Sequence, residues 1–318
     1  MNERTAEARD VGLLSAAVVL GVVVSFLFSL IGLPLVAMGA AGLAHRGRVV
    51  GAAVGSAIGV AVVGVIDPAS MIFVAPAVVA VLLAVVMLSR VDAQWVGAML
   101  TAVFAMAGAG RDYVLVRTEG TTLSSMLSSE LNKMIAQQPQ LAGGSSGAQA
   151  MRDGLKTVLS LIPMMYFVTG LVTAVAVIAA IAWAAKRSGR AVRVPALSRL
   201  DFTPHVLWPF VVGLLALAAS YAPIANAATW GVVGLNLVWC VSALFSLQGL
   251  GVSAGVLNRT GVGLGGRILA WAALAVLDVI CGGALFSFIG LVDFWVNFRR
   301  LPRDGATPTP PMSAVPDR

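Results

Sequence analysis

The chain has 318 residues, of which 59% are apolar and only 11% charged, where a soluble domain carries about 25% charged residues. A soluble core cannot hide that much apolar surface, so the composition excludes a string of soluble domains and points to one polytopic membrane protein. The net charge of +7 is no nucleic-acid signal, because the basic residues form short clusters between apolar runs, the pattern left by membrane orientation.

Residues 1–10 form a polar tail, and residues 11–110 a first set of membrane helices. Uncharged apolar runs cover roughly 11–44, 49–66, 71–89 and 93–110, then 157–185, 206–224, 227–257 and 268–292, the last interrupted only by Asp278. A crossing needs about 20 residues at 1.5 Å each, so these runs predict at least eight crossings. Two regions have length to spare. The stretch 11–44 is broken at Gly32 and Pro34, and 265–298 at Gly282 and Gly283, so each has the length for a hairpin of two short segments. The expected fold is therefore all-α, a transmembrane bundle of 8 to 10 membrane segments with one external amphipathic helix. Arg4 and Arg9 ahead of the first run, with Ala41 and Ala44 after it, imitate a signal peptide, but the run is about twice the usual apolar length and is read as retained.

The loops set the orientation. His45, Arg46 and Arg48 lie in one, Arg90 in the next, Lys186, Arg187, Arg190, Arg193 and Arg199 in a third, Arg259 and Arg267 in a fourth. The intervening loops carry Asp67, a charge-balanced polar segment at 111–154, and an uncharged turn near Ala222. Basic loops thus alternate with non-basic ones and are expected in the cytoplasm of a bacterial inner-membrane protein. Arg299, Arg300 and Arg303 favour the same side, which asks for an even number of crossings after Arg267.

Segment 111–154 is the large external piece. Leu123, Met126, Leu127, Leu131, Met134 and Ile135 fall at helical spacing and predict one amphipathic helix, resting on the membrane or acting as a lid. The run from Gly143 to Gly147 reads as a flexible joint. Residues 155–300 form the second membrane set, and 301–318, rich in proline, a disordered tail.

Gly51, Gly55 and Gly59 leave one helix face nearly bare, suited to close packing against another helix of this chain or a partner subunit; Gly251 and Gly255 are a weaker copy. The polar residues inside apolar runs are Asn236, Gln248 and Asp278, the candidates for an intramembrane binding site. Asp293, Asn297 and Arg299 form a cluster at the cytoplasmic end, read as a cap and anchor for the last segment. Cys240, Cys281, His45 and His205 are too scattered for a metal site or a disulfide framework. There is no Ser/His/Asp arrangement, no pair of carboxylates, no HExxH and no phosphate loop, so neither an enzyme nor a bound cofactor is expected.

Asn236, then Leu247, Gln248, Gly249 and Leu250, then Gly290, Leu291, Val292 and Asp293, and finally Asn297, Phe298 and Arg299 resemble the YybS-like family of predicted bacterial membrane proteins. Pro163 opening a span, and the basic loop leading to Pro204 and Trp208, fit it too. Family members often have Asp where Asn297 stands. The resemblance implies a distant similarity to the substrate-binding subunits of energy-coupling-factor transporters, and with it a small-molecule site opening outward and a membrane partner subunit. Two functions are therefore expected: a small-molecule transporter or its binding subunit, suggested by the intramembrane polar residues, or a structural or assembly protein binding protein partners, suggested by the lack of a convergent charged cluster. Beyond the lipid bilayer, a membrane protein subunit and a small molecule are the expected partners; nucleic acid is not.

Overall fold

The structure, a computed structural model, describes residues 3–118, 120–137, 144–189, 192, 194–223, 225–299 and 301. The proline-rich tail beyond Leu301 and the start of the Gly/Ser joint at Gly143 lie outside the described residues. Those described form no strand. The helices are α1 (Glu3–Leu27), α2 (Ser29–His45), α3 (Val49–Ile66), α4 (Pro68–Met87), α5 (Ala93–Thr118), α6 (Leu123–Gln137), α7 (Gly144–Ser160), α8 (Ile162–Arg187), α9 (Leu207–Ala219), α10 (Ala227–Arg259), α11 (Leu264–Ile280) and α12 (Leu285–Val296). A membrane-spanning chain satisfies its backbone internally, and helices do so segment by segment. Proline fits that scheme at the first turns of α4 and α8, where its missing N–H has no helical partner to lose.

Six described helices are long and apolar enough to cross a membrane, or seven if the bent pair α11 and α12 is one span. The expected 8 to 10 segments exceed this count because two apolar helices, Ser29–His45 and Pro204–Ala219, are shorter than a full crossing. Large apolar side chains such as Val65, Leu215 and Ile268 stand on the outside, as lipid contact requires.

The chain divides into two units, one of residues 1–194 and 212–240, the other of 195–211 and 241–318. In the first, α1 and α2 form the hairpin anticipated for 11–44, but it turns at Phe28 and not at Gly32 or Pro34, which lie inside α2. Small residues bring the two backbones together: a Cβ on Gly21 would stand 2.7 Å from the Val36 nitrogen, and one on Gly39 2.8 Å from the Leu14 oxygen. At the far end Arg46 and Asp10 pair at 2.9 Å, so α1 starts at the end that carries the first basic loop.

Helix α3 lays its glycine face on α1. A Cβ on Gly59 would lie 2.6 Å from Val22 Cβ, and one on Gly55 3.3 Å from Val18 Cγ1, whereas Gly51 meets only Arg48 of its own turn. Two of the three glycines therefore serve packing inside this protein. Val18, Val22, Leu33, Val36, Val81, Leu100 and Val177 fill the core between α1, α2, α4, α5 and α8.

The segment 111–154 contains two helices where one was expected. Helix α5 runs on to Thr118, α6 covers the anticipated amphipathic stretch, and α7 begins at Gly144 inside the supposed joint. In α7 the apolar Met151, Leu155 and Val158 recur at helical spacing.

In the second unit, Gly249 and Gly290 put α10 and α12 backbone to backbone; a Cβ on either would overlap the carbonyl of Phe286 or Phe245. The Phe245 ring packs edge-on against Phe210 and Phe294, at centroid separations of 5.4 and 5.6 Å. Helices α11 and α12 meet at a bend of 102°, made by Gly282 and Gly283 at φ of +66° and +79°, a region other residues rarely adopt. The Ser287 hydroxyl donates to the Ser242 carbonyl near the start of α12, and Gln248 faces Asp293 further along, so α12 runs parallel to α10. The Arg259 guanidinium then donates to the Phe298 and Arg299 carbonyls, which returns the chain to the level from which α11 departs.

Candidate solute-binding site

A recess in the first unit lies between α1, α2, α4, α5 and α8, at the end opposite Arg46, Arg48, Arg90 and Lys186. Its walls follow from local features. The turn at Phe28 places Ser25, Phe26, Ser29 and Leu33 at its rim. Asp67 caps α4, accepting from the Ala69 amide at 3.1 Å and the Ser70 hydroxyl at 2.5 Å, and so fixes Ser70 and Phe73. The hydrogen bond from Ser70 holds the Asp67 carboxyl below its usual pKa, with a smaller contribution from the charge of Arg111.

On α5, Gly108 and Gly110 leave room for rings: Cβ atoms there would lie 3.3 Å from Tyr166 Cδ1 and 2.8 Å from Phe73 Cε1. One residue on, Arg111 enters the cavity wall. Its Cζ lies 5.7 Å from the Phe26 ring centroid, and its Nε is buried without a hydrogen-bond partner among the described residues. Across from it, the Tyr166 hydroxyl donates to Asp112 Oδ2 at 2.6 Å, and Thr169 and Thr173 complete the α8 wall.

The enclosed space is about 120 Å³. A dry apolar cavity of about 150 Å³ admits benzene, so this one suits a ligand of that order. A more open recess of about 470 Å³, bounded by Asp112, Tyr113, Arg117 and Thr122, lies alongside, and Tyr166 lines both. The Tyr166 and Asp112 pair thus stands between a wide recess and a small enclosed one. Chemically, the inner space offers hydroxyls, aromatic faces and one guanidinium, a set for binding and orientation.

Asn236, Gln248 and Asp278 do not come together. Asn236, on the part of α10 in the first unit, accepts from the Met164 amide at 2.9 Å and donates to the Ser160 and Val232 carbonyls at 2.6 and 2.8 Å. It thereby satisfies backbone groups where α7 ends and Pro163 starts α8. Asp278 Oδ1 accepts from the Phe286 amide at 3.2 Å and caps the first turn of α12 across the bend. Gln248 is fully buried in the second unit, donating to Asp293 Oδ2 at 3.3 Å and accepting from the Phe202 amide at 3.4 Å.

There Gln248 joins the residues expected at the cytoplasmic end. Arg299 pairs with Asp293 at 2.7 Å and with Asp201 at 3.2 Å, and it also donates to the Leu200 carbonyl. Its aliphatic stem lies in the furrow left by Gly255, at 3.3 Å from a Cβ placed there. Asn297, at a left-handed φ of +47°, closes the end of α12 by exchanging hydrogen bonds with the Leu301 backbone. A convergent charged cluster therefore exists, contrary to the sequence-based expectation that there was none. Asp201 stands 92 residues before Asp293 in the chain, a proximity that no periodicity signals.

Sequence reasoning passed over Arg111, Ser25, Ser29, Ser70, Phe73 and Tyr166. The available signal was the charged Arg111 and Asp112 directly after the apolar run 93–110, which reads equally well as the start of a loop. Among the described residues no group of His, Cys, Asp and Glu has the makings of a metal site.

Comparison with curated proteins and with solved structures yields no match. A family model does match, over residues 11–294, under the description predicted membrane protein (DUF2232). That span runs from within α1 to within α12 and takes in the recess of the first unit and, of the charged cluster, Asp201, Gln248 and Asp293; the chain belongs to the DUF2232 family of membrane proteins.

Proposed function

We propose that this protein is the membrane-embedded binding component for a small solute, a transporter or its substrate-binding subunit, and not an enzyme. The observation that carries the reading is the enclosed cavity at the end of the first unit opposite the basic loops, lined by hydroxyls, aromatic rings and Arg111. Under the positive-inside rule that end faces the exterior of a bacterial cytoplasmic membrane, where an uptake component meets its solute. The short apolar helices α2 and α9 are counted as crossings in this reading, so that with the bent pair the membrane segments lie within the 8 to 10 expected from the sequence. The resemblance to the YybS-like family, with its distant similarity to energy-coupling-factor substrate-binding subunits, points the same way. Energy for transport comes from a partner subunit or an ion gradient.

The test is purification from native membranes, with mass spectrometry of retained small molecules, for the wild-type protein and for Ala77→Leu, which fills the cavity from α4. A solute retained by the wild type and lost from a variant with unchanged melting temperature supports the reading. No retained solute in either, with stoichiometric protein partners, favours an assembly role.

A further inference from the structure

We infer that Arg111 anchors the ligand of the enclosed cavity, and that this ligand is a small monocarboxylate with an apolar body. The inference rests on the solute-binding reading and adds the chemical class.

A guanidinium presents five donors in a planar fork, and a donor kept from water without a partner is costly. Arg111 is in that condition at Nε. Its charge is eased by the face of Phe26, at 5.7 Å, but a ring face accepts no directed fork of hydrogen bonds. The neighbouring carboxylates are engaged elsewhere. Asp67 accepts from Ser70 and from the Ala69 amide and reaches Arg111 only as a through-space charge. Asp112 accepts from Tyr166. The cavity therefore holds a cation whose best complement, a planar anionic acceptor, is not supplied by these carboxylates.

The remaining walls describe the rest of the ligand. Leu33, Phe73, Val74 and Phe104 form an apolar lining, with the hydroxyls of Ser29 and Thr169 beside it. A carboxylate matches the fork in two parallel hydrogen bonds, and an apolar body matches the rings. Inorganic phosphate would leave the apolar walls uncovered, and a cation would be repelled by Arg111. The volume of about 120 Å³ limits the body to a branched chain or a single ring.

Titration of the full-length detergent-solubilised protein with benzoate and isobutyrate, and with benzamide and isobutyramide as neutral isosteres, tests the inference. At least one acid is expected to bind about tenfold or more tightly than its amide, as a charge-assisted pair should. Arg111→Gln should erase that preference, and Arg111→Lys, which keeps the charge and loses the fork, should retain only part of it. Equal binding of acid and amide, no binding of either acid, or a preference that survives Arg111→Gln each overturns the inference. Should Arg111→Gln fail to fold, Arg111→Lys decides: an undiminished preference there sinks the bidentate anchor. A neutral solute retained from native membranes and lost in Ala77→Leu, with neither acid binding, would defeat the monocarboxylate assignment while leaving the solute site standing.

Discussion

Asp293 and Arg299 pair at 2.7 Å with side chains 0% and 1% exposed, six residues apart across the end of α12. Burial of two charges is tolerable only when the surrounding hydrogen bonds are complete. Here Asp293 also accepts from Gln248 and from the Phe298 amide, while Arg299 reaches Asp201 and the Leu200 carbonyl. One ion pair thus fastens the end of α12 to α10 and to the 195–211 segment.

Breaking that pair from one side should be severe. Asp293→Asn is expected to cost about 3 to 5 kcal/mol, since it leaves Arg299 buried with only part of its compensation. Replacing both, as Asp293→Leu with Arg299→Met, should cost less than either single change. Thermal melting of the four proteins in one detergent reads the cycle, and purely additive losses would show that the residues do not act as a pair.

Asn236→Leu keeps the volume and deletes every hydrogen bond. The Ser160 carbonyl and the Met164 amide lose their partner, and a buried unsatisfied group costs about 1 to 3 kcal/mol. Melting should fall accordingly while solute retention in folded protein persists. Loss of retention at unchanged melting temperature would instead give Asn236 a part in binding.

What the sequence revealed and what it hid divide along physical lines. Hydrophobic runs, proline at helix starts and glycine pairs are local or additive, so the membrane class, the apolar helices, the hairpin within 11–44 and the break at Gly282 and Gly283 were legible. The roles of individual polar residues were not. Asn236, Gln248 and Asp278 look alike along the chain, as lone polar groups in apolar runs, yet Asn236 serves backbone groups at Ser160 and Met164, Gln248 an ion pair 45 residues on, and Asp278 the start of α12 across a bend. Arg111 was hidden for the converse reason. It follows an apolar run and resembles a loop residue until α5 is seen to continue through it to Thr118.

The glycine face of α3 makes a graded prediction. Gly59→Leu should overpack against Val22 and cost on the order of 1 to 3 kcal/mol, whereas Gly51→Ala should be neutral or slightly stabilising, since its Cβ meets no other helix. Equal sensitivity at Gly51 and Gly59 would mean that a partner covers the open end of the face.

The Asp67 cap gives a pH dependence. Its carboxyl is held below its ordinary pKa, chiefly by the Ser70 hydrogen bond, so the folded form favours the carboxylate more than the unfolded chain does. The contribution is therefore complete above about pH 4 and fades as pH falls through the lower folded-state pKa. Wild type and Asp67→Asn should differ in melting temperature at pH 7 and converge on acidification. A difference that widens toward low pH would reverse the sign.

The bend between α11 and α12 supplies its own probe. Helix α11 has 17 residues and meets α12 at 102°, so the depth of the bend is set by α12, whose 12 residues cover about 18 Å of a hydrocarbon core of about 30 Å. It leaves from the level of Arg259, and the hydrogen bonds of Arg259 to the Phe298 and Arg299 carbonyls bring the chain back there. Cys281, exposed at the bend, should then lie close to the outer interface. With Cys240 replaced by alanine, Cys281 is expected to react with an impermeant thiol reagent applied to intact cells, as should a cysteine placed at Ser128, while one at Ser188 should not. Asp278, three residues before the bend, caps α12 through the Phe286 amide, so Asp278→Asn should lower melting temperature and leave solute retention in the folded fraction unchanged. Protection of Cys281 from both sides, together with lost retention in a stable Asp278→Asn protein, would restore Asp278 as a buried functional carboxylate and displace Arg111 from the centre of the binding site.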